Sequence, residues 1–285
     1  MLFDSYIVSA TKTLLSKSLS CPPKKLNCSM GFKRFAFTLA ETLITLTIIG
    51  VIAVFTLPTL INKYNEKITV AKVKKVYYML DQSFQKAVLT YGPVQTWDLE
   101  KSVANTYDEN DNVITAGTSP SSQVFLEKLL IGIKVKDIEG TKNGCHRLNG
   151  QTANCIMRFV SDDNILFYGG FVTDPKCKTV KGTSAALSSI CGELVIDING
   201  KKEPNTLGSD QFVFHITGKG IIPMGSPSDN YWTPEEYCNP NIQHRYNGYA
   251  CTGWLIQNEE RPWLKGKGVS WKTEPASQEQ EETNT

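Results

Sequence analysis

Residues 35–58 read FAFTLAETLITLTIIGVIAVFTLP, a stretch apolar enough to cross a bilayer, yet it carries a carboxylate, Glu41, in its first turns and a proline, Pro58, near its end. A carboxylate at the edge of the hydrocarbon costs less than one at its centre, but it still calls for a partner or a function. A glutamate that snorkels to the interface is the plain alternative. Extended to Ile61, the run 37–61 covers 25 residues. As a helix that is about 37 Å, enough to span the hydrocarbon. A cleaved secretory signal has a shorter apolar core followed by a small-x-small site. Here the run continues straight into a second helical pattern, so the helix is expected to stay attached to the mature chain.

That second pattern is NKYNEKITVAKVKKVYYMLDQSFQKAVLTYG, from Asn62. Val73, Val76, Tyr77, Leu80, Phe84, Val88 and Tyr91 recur at spacings of three and four, one apolar stripe on a helix. Lys72, Lys74, Lys75, Asp81, Gln82 and Lys86 fall on other faces, and Gly92-Pro93 ends the pattern. If the segments are continuous, residues 37–91 make one helix about 80 Å long, kinked at Pro58, half in lipid and half on a globular head.

Thirty basic and 28 acidic residues nearly cancel, so bulk charge indicates neither nucleic acid nor an acidic substrate. Their placement says more. Lys12, Lys17, Lys24, Lys25, Lys33 and Arg34 precede the apolar run against one acid, Asp4, which keeps the N-terminus cytoplasmic and exports the rest. Six of the eight cysteines, Cys145, Cys155, Cys177, Cys191, Cys238 and Cys251, follow the run, and an even set in an exported domain reads as disulfides. Sequence neighbours form natural pairs, although six cysteines allow about fifteen connectivities. No C-x-x-C occurs, and His146 and His244 lack zinc-ligand spacing.

The segment KRFAFTLAETLITLTIIGVIAVFTLPTLI resembles the N-terminal signal of type IV pilins and type II secretion pseudopilins. In that family a prepilin peptidase cuts just before a phenylalanine and the new amine is methylated. The resemblance implies cleavage between Ala36 and Phe37, N-methylation of Phe37, and Glu41 as the fifth mature residue. Pro58 falls where the family has its helix-breaking proline. Ala36 stands where the family usually has glycine. Inside a filament of bundled helices, Glu41 would meet the Phe37 amine of a neighbouring subunit, an attraction that low dielectric strengthens. The implied partners are the peptidase, other pilin or pseudopilin subunits and an inner-membrane assembly platform. The implied location is the bacterial inner membrane, crossed once, and then a filament in the periplasm or outside. Met30 opens MGFKRFA, a short basic leader, so the upstream residues are either an extended leader or a misassigned start.

Beyond Gly92, SSQVFLEKLL (121–130) reads as a short helix, and CIMRFV, NILFYGG, GELVIDI, DQFVFHI and KGIIPM read as strands, with a hairpin at Asp163-Asn164. The expected fold is α+β: a long transmembrane-plus-amphipathic helix packed on a small antiparallel β-sheet, with a loop-rich, disulfide-bonded head. The expected divisions are leader 1–36, membrane helix 37–61, amphipathic continuation 62–91, head 92–272 and acidic disordered tail 273–285. In DINGKKEPNTLGSDQF, Asp197, Asn199, Asn205 and Asp210 offer hard oxygens between two strands. These are candidate calcium ligands, set against an ordinary Asn199-Gly200 turn. Major pseudopilins use a calcium loop near the sheet, but their ligand motif is not reproduced residue for residue. Three histidines and no G-x-S-x-G, H-E-x-x-H, P-loop or G-x-G-x-x-G argue against catalysis. Trp232, Tyr237, Tyr246, Tyr249 and Trp254 are expected to pack or pin loops rather than line a ligand surface. The rival reading is an exported binding or enzymatic domain using 37–61 only as a tether.

Overall fold

A computed structural model describes residues 38–110, 113–115, 117–139, 147–148, 151–152, 158–243 and 245–271. Ala36, Phe37, Cys145, Cys155 and the tail from 273 lie outside the described residues. The chain divides into two compact units, one ending at Phe55 and the other beginning at Thr56.

In the first unit the described residues form the start of helix α1, Leu39–Tyr91. None of them is buried, although they include Leu43, Ile44, Ile48, Ile49 and Ile52. The helix is long and apolar enough to cross a membrane. Pro58, the residue assigned as its kink, lies inside it and cannot supply the N–H of an interior turn.

In the second unit the rest of α1 buries one face through Val70, Val73, Val76, Leu80, Ser83, Phe84 and Ala87. The stripe read from the sequence is corrected at one end. Tyr91 is exposed, while Ser83 is buried because its hydroxyl bonds the carbonyls of Leu129 (2.8 Å) and Ile131 (2.9 Å). Tyr77 stacks on Phe214 with ring centroids 5.9 Å apart, which seats the helix on the sheet. Leu80 is fully buried in that contact layer, so truncation to alanine would cost about 2–5 kcal/mol.

The sheet contains β3 (Val135–Glu139), β6 (Arg158–Ser161), β7 (Leu166–Val172), β8 (Ile190–Asp197), β9 (Gln211–Thr217) and β10 (Ile221–Pro223). Their order is β10-β9-β8-β7-β6-β3, and every pairing is antiparallel. Two-stranded ribbons pair β1 (Thr106–Tyr107) with β2 (Val113–Thr115), and β4 (Arg147–Leu148) with β5 (Gln151–Thr152). Runs of β-branched and aromatic residues explain the central strands, which are buried on both faces. Helix α2, Ser122–Leu129, covers β7 where the register shifts between Tyr168 and Phe171. Gly170 sits there at φ +50°, and a Cβ would come within 2.9 Å of the Ser122 carbonyl, so only glycine admits the helix this close.

Two short helices follow, α3 (Pro234–Tyr237) and α4 (Cys251–Asn258), joined by the Cys238–Cys251 disulfide. A second disulfide links Cys177 and Cys191. Both pairs match the sequence-neighbour expectation. The aromatic residues are packing elements: Trp232 lies 4.6 Å from Tyr237, 5.0 Å from Tyr249 and 5.6 Å from Tyr246 between centroids, while Trp254 pairs with Trp271 at 4.7 Å.

Candidate functional site

Glu41 is not isolated. Its Oε2 accepts the Thr38 N–H at 2.9 Å and the Thr38 hydroxyl at 3.0 Å, and the Glu41 N–H donates to Thr38 Oγ1 at 3.2 Å. This is a reciprocal capping box, which satisfies donors that a helix start leaves without intrahelical partners. Negative charge there also complements the helix dipole. The carboxylate so far has a local role within its own chain. Because a carboxylate accepts about four hydrogen bonds, that role leaves capacity for a further cation.

The second site is the loop between β8 and β9, and it draws together all four residues singled out as hard-oxygen donors. Asp210 Oδ1 accepts the Thr206 N–H at 2.7 Å, and Oδ2 accepts the Asn205 N–H at 2.9 Å and Asn199 Nδ2 at 3.1 Å. Asp197 Oδ1 accepts the Asn199 N–H at 3.1 Å, and Oδ2 takes a long bond of 3.4 Å from Gln211 Nε2. Gly200, at φ +75°, lets the turn close against Asn164, where a Cβ would meet Nδ2 at 2.4 Å. Asp197 and Gln211 are fully buried. Burial drives the Asp197 carboxyl up to about 7, and the nearby Asp210 charge adds to the rise against the hydrogen bonds from Asn199, Gln211 and Gly200.

Three buried amide oxygens around this pair, Asn199 Oδ1, Asn205 Oδ1 and Gln211 Oε1, have no hydrogen-bond partner. Unmatched acceptors beside two crowded carboxylates make a donor set that fits a hard cation. Asp197, Asp210, Asn199, Asn205 and Gln211 would hold calcium, and the ion would supply charge neutralisation and a crosslink between the strand ends. Rotation of the Asn199 amide would turn Oδ1 toward Asp210, an arrangement that only a cation between them favours. Among the described residues no three of His, Cys, Asp or Glu group as metal ligands, so two carboxylates and neutral oxygens would carry the site.

A third polar cluster escaped the sequence. His215 on β9 and Asp229 are fully buried and joined at 2.9 Å between Nε2 and Oδ2. Asp229 Oδ1 also receives the Tyr231 and Trp232 N–H groups at 3.1 and 2.9 Å. The pair pins the 225–232 segment to the sheet. Neither residue reaches solvent, which leaves no access for a substrate. Their separation along the chain and the absence of a local motif gave the sequence no signal for them.

Residues 59–221 match the model of a family of unknown function, DUF6613, over more than half the chain. The chain belongs to this family. No curated protein and no solved structure matches the chain. The family segment begins at Thr59, beside Pro58, and ends in β10, so it contains the Asp197–Asp210 loop and the Cys177–Cys191 disulfide. The Cys238–Cys251 disulfide and Glu41 lie beyond the matched residues of this DUF6613 chain.

Proposed function

We propose that this chain is a pilin-like subunit, of the type IV pilus or type II secretion pseudopilus kind, with no enzymatic activity of its own. One observation carries the reading. A single helix, Leu39–Tyr91, is apolar and exposed in its first part, while its later part is amphipathic and buried against an antiparallel sheet. The exposed side chains require lipid or neighbouring helices as their surroundings. The basic residues before the run, the Ala36-Phe37 junction and Glu41 resemble the register of a prepilin signal, with Ala36 where the family usually has glycine. In this reading a prepilin peptidase removes residues 1–36 and the Phe37 amine is methylated. The inner-membrane platform then adds the subunit through its helix, with the head exported. Glu41 caps its own helix and pairs with the Phe37 amine of the next subunit. Calcium at the Asp197–Asp210 loop would stabilise the head.

The Glu41 cap also favours a second reading, a tethered exported domain, because the local bonds to Thr38 already give the carboxylate a role. Filament recovery separates the two. Coexpressed with a prepilin peptidase, an assembly platform and partner pilins, the chain should sediment with sheared or detergent-released filaments. Ala36→Trp should hold it in the membrane uncut. A wild-type chain that never leaves the membrane fraction while its partners assemble would contradict the filament reading and favour the tether.

A further inference from the structure

The second unit contains the last turns of the apolar run and, just beyond them on α1, a point where a distant piece of chain is fastened to the helix. Leu57, Leu60, Ile61 and Tyr64 are exposed on α1, Tyr64 to 65 %. Glu66, five residues beyond Ile61 along the helix, accepts the Arg261 N–H at 3.1 Å and binds Lys265 Nζ at 3.1 Å. The segment Arg261–Lys267, RPWLKGK, is fastened there in two further ways. Arg261 Nη1 donates to the Ser209 carbonyl and Trp263 Nε1 to the Gly208 carbonyl, each at 2.9 Å.

With Trp263 buried as an anchor, the short turn Pro262–Lys265 turns other side chains outward. Leu264 is 50 % exposed, and Lys265 and Lys267 are exposed. On α1, Lys63 and Lys67, near Tyr64 and Glu66 in sequence, are exposed. The segment 261–267 contains three cations and no acid. Of the two acids just before it, Glu260 is exposed and Glu259 is engaged by Lys74, which lies about 12 Å further along α1 than Glu66. Exposed leucines and a tyrosine flanked by lysines, next to the end of an apolar helix, have the composition of a membrane interface.

We infer that Arg261–Lys267 is a second membrane contact, resting on the headgroup layer beside α1, with Leu264 dipping toward the acyl boundary and Lys63, Lys67 and Lys267 binding anionic lipid phosphates around Lys265, which Glu66 holds at the helix. The inference depends on the membrane-anchor reading of α1 and goes beyond it, because it assigns a lipid contact to residues about 200 positions away in sequence from Glu66. Glu66 is the hinge of the arrangement: it holds the segment at the helix through a backbone N–H and one ammonium, leaving Lys267 free for lipid.

The test uses the full chain in phosphatidylcholine vesicles with and without phosphatidylglycerol, with lysine acylation read by mass spectrometry. Lys265 and Lys267 should be acylated several-fold more slowly when phosphatidylglycerol is present, and added salt should reduce the protection. Lys219, at the opposite end of β9 from Ser209, should be unaffected. Lys267→Glu should weaken the protection of Lys265 without changing resistance to carbonate extraction, since the Glu66 contacts do not involve the Lys267 side chain. Equal acylation of Lys265 and Lys267 in both lipids, in a chain that resists carbonate, would overturn the inference and leave the anchor intact. Extraction of the wild-type chain by carbonate would instead overturn the anchor reading, and the inference with it.

Discussion

Replacing Asp197 by asparagine should stabilise the calcium-free head at neutral and alkaline pH. The carboxyl is raised from 3.8 to about 7 by burial first and then by the charge of Asp210. Because the folded state holds this proton more tightly than the unfolded chain, the group contributes least penalty below about pH 4. Stability then falls between about pH 4 and 7, while only the unfolded chain is ionised, and levels off above about 7, where the folded carboxyl also ionises. That rise corresponds to about 4 kcal/mol at full ionisation. Asparagine keeps the acceptor for the Asn199 N–H and removes the charge, while the Gln211 amide can turn its otherwise unpartnered Oε1 toward the new NH2 group. Urea denaturation followed by tryptophan fluorescence, in chelator and across pH 4–8, should show the wild type losing stability along this range and Asp197→Asn nearly flat. Calcium should narrow the gap between the two proteins. At a hundredfold excess over its dissociation constant it adds about 2.7 kcal/mol to the wild type and little to the variant. Parallel pH profiles for the two proteins, or identical wild-type stability in calcium and chelator, would refute the reasoning from burial and crowding.

Glu41→Gln preserves an acceptor for the Thr38 cap but lacks the charge, so it should insert normally and enter filaments poorly; incorporation equal to wild type, scored by immunoblot of the filament fraction, would reduce Glu41 to a helix cap. Glu41→Ala loses both roles and should do no better than the glutamine variant. Peptide mapping without reductant should recover the Cys177–Cys191 and Cys238–Cys251 links, with Cys145 and Cys155 also oxidised after export; quantitative thiol labelling of the native protein would contradict this. Removing Cys238–Cys251 by double serine substitution should lower stability by about 3 kcal/mol, measured by denaturant midpoint, given the sequence separation of 13.

The long helix was legible because two different patterns met end to end, an unbroken apolar run and then a stripe with period near 3.6. The strands at 158–161, 166–172, 190–197, 211–217 and 221–223 were legible from their β-branched and aromatic runs. Strand β3, VKDIE, was missed because it is an edge strand that exposes Lys136, Asp137 and Ile138 and so lacks a clean apolar alternation. Helix α4, CTGWLIQN, was missed because it is two turns long and opens with cysteine, threonine and glycine, all weak helix formers held here by the Cys238–Cys251 disulfide and packing. The capping box is written in TLAE at 38–41, the T-x-x-E pattern of a helix start, and the Thr38–Glu41 bonds fulfil it. The oxygen-rich loop was visible as residue types between strands. That Gln211 joins it, and that Asp197 is buried deeply enough to shift its ionisation, depends on strand packing that no local pattern encodes.

The pilin-like account stands or falls on the mature N-terminus. Intact-mass and N-terminal peptide analysis of the chain, purified from cells with an active prepilin peptidase, should find loss of residues 1–36 and a first residue of N-methylated Phe37. A chain that keeps its leader, or that begins at any other residue while a known prepilin in the same cells is processed, would contradict it.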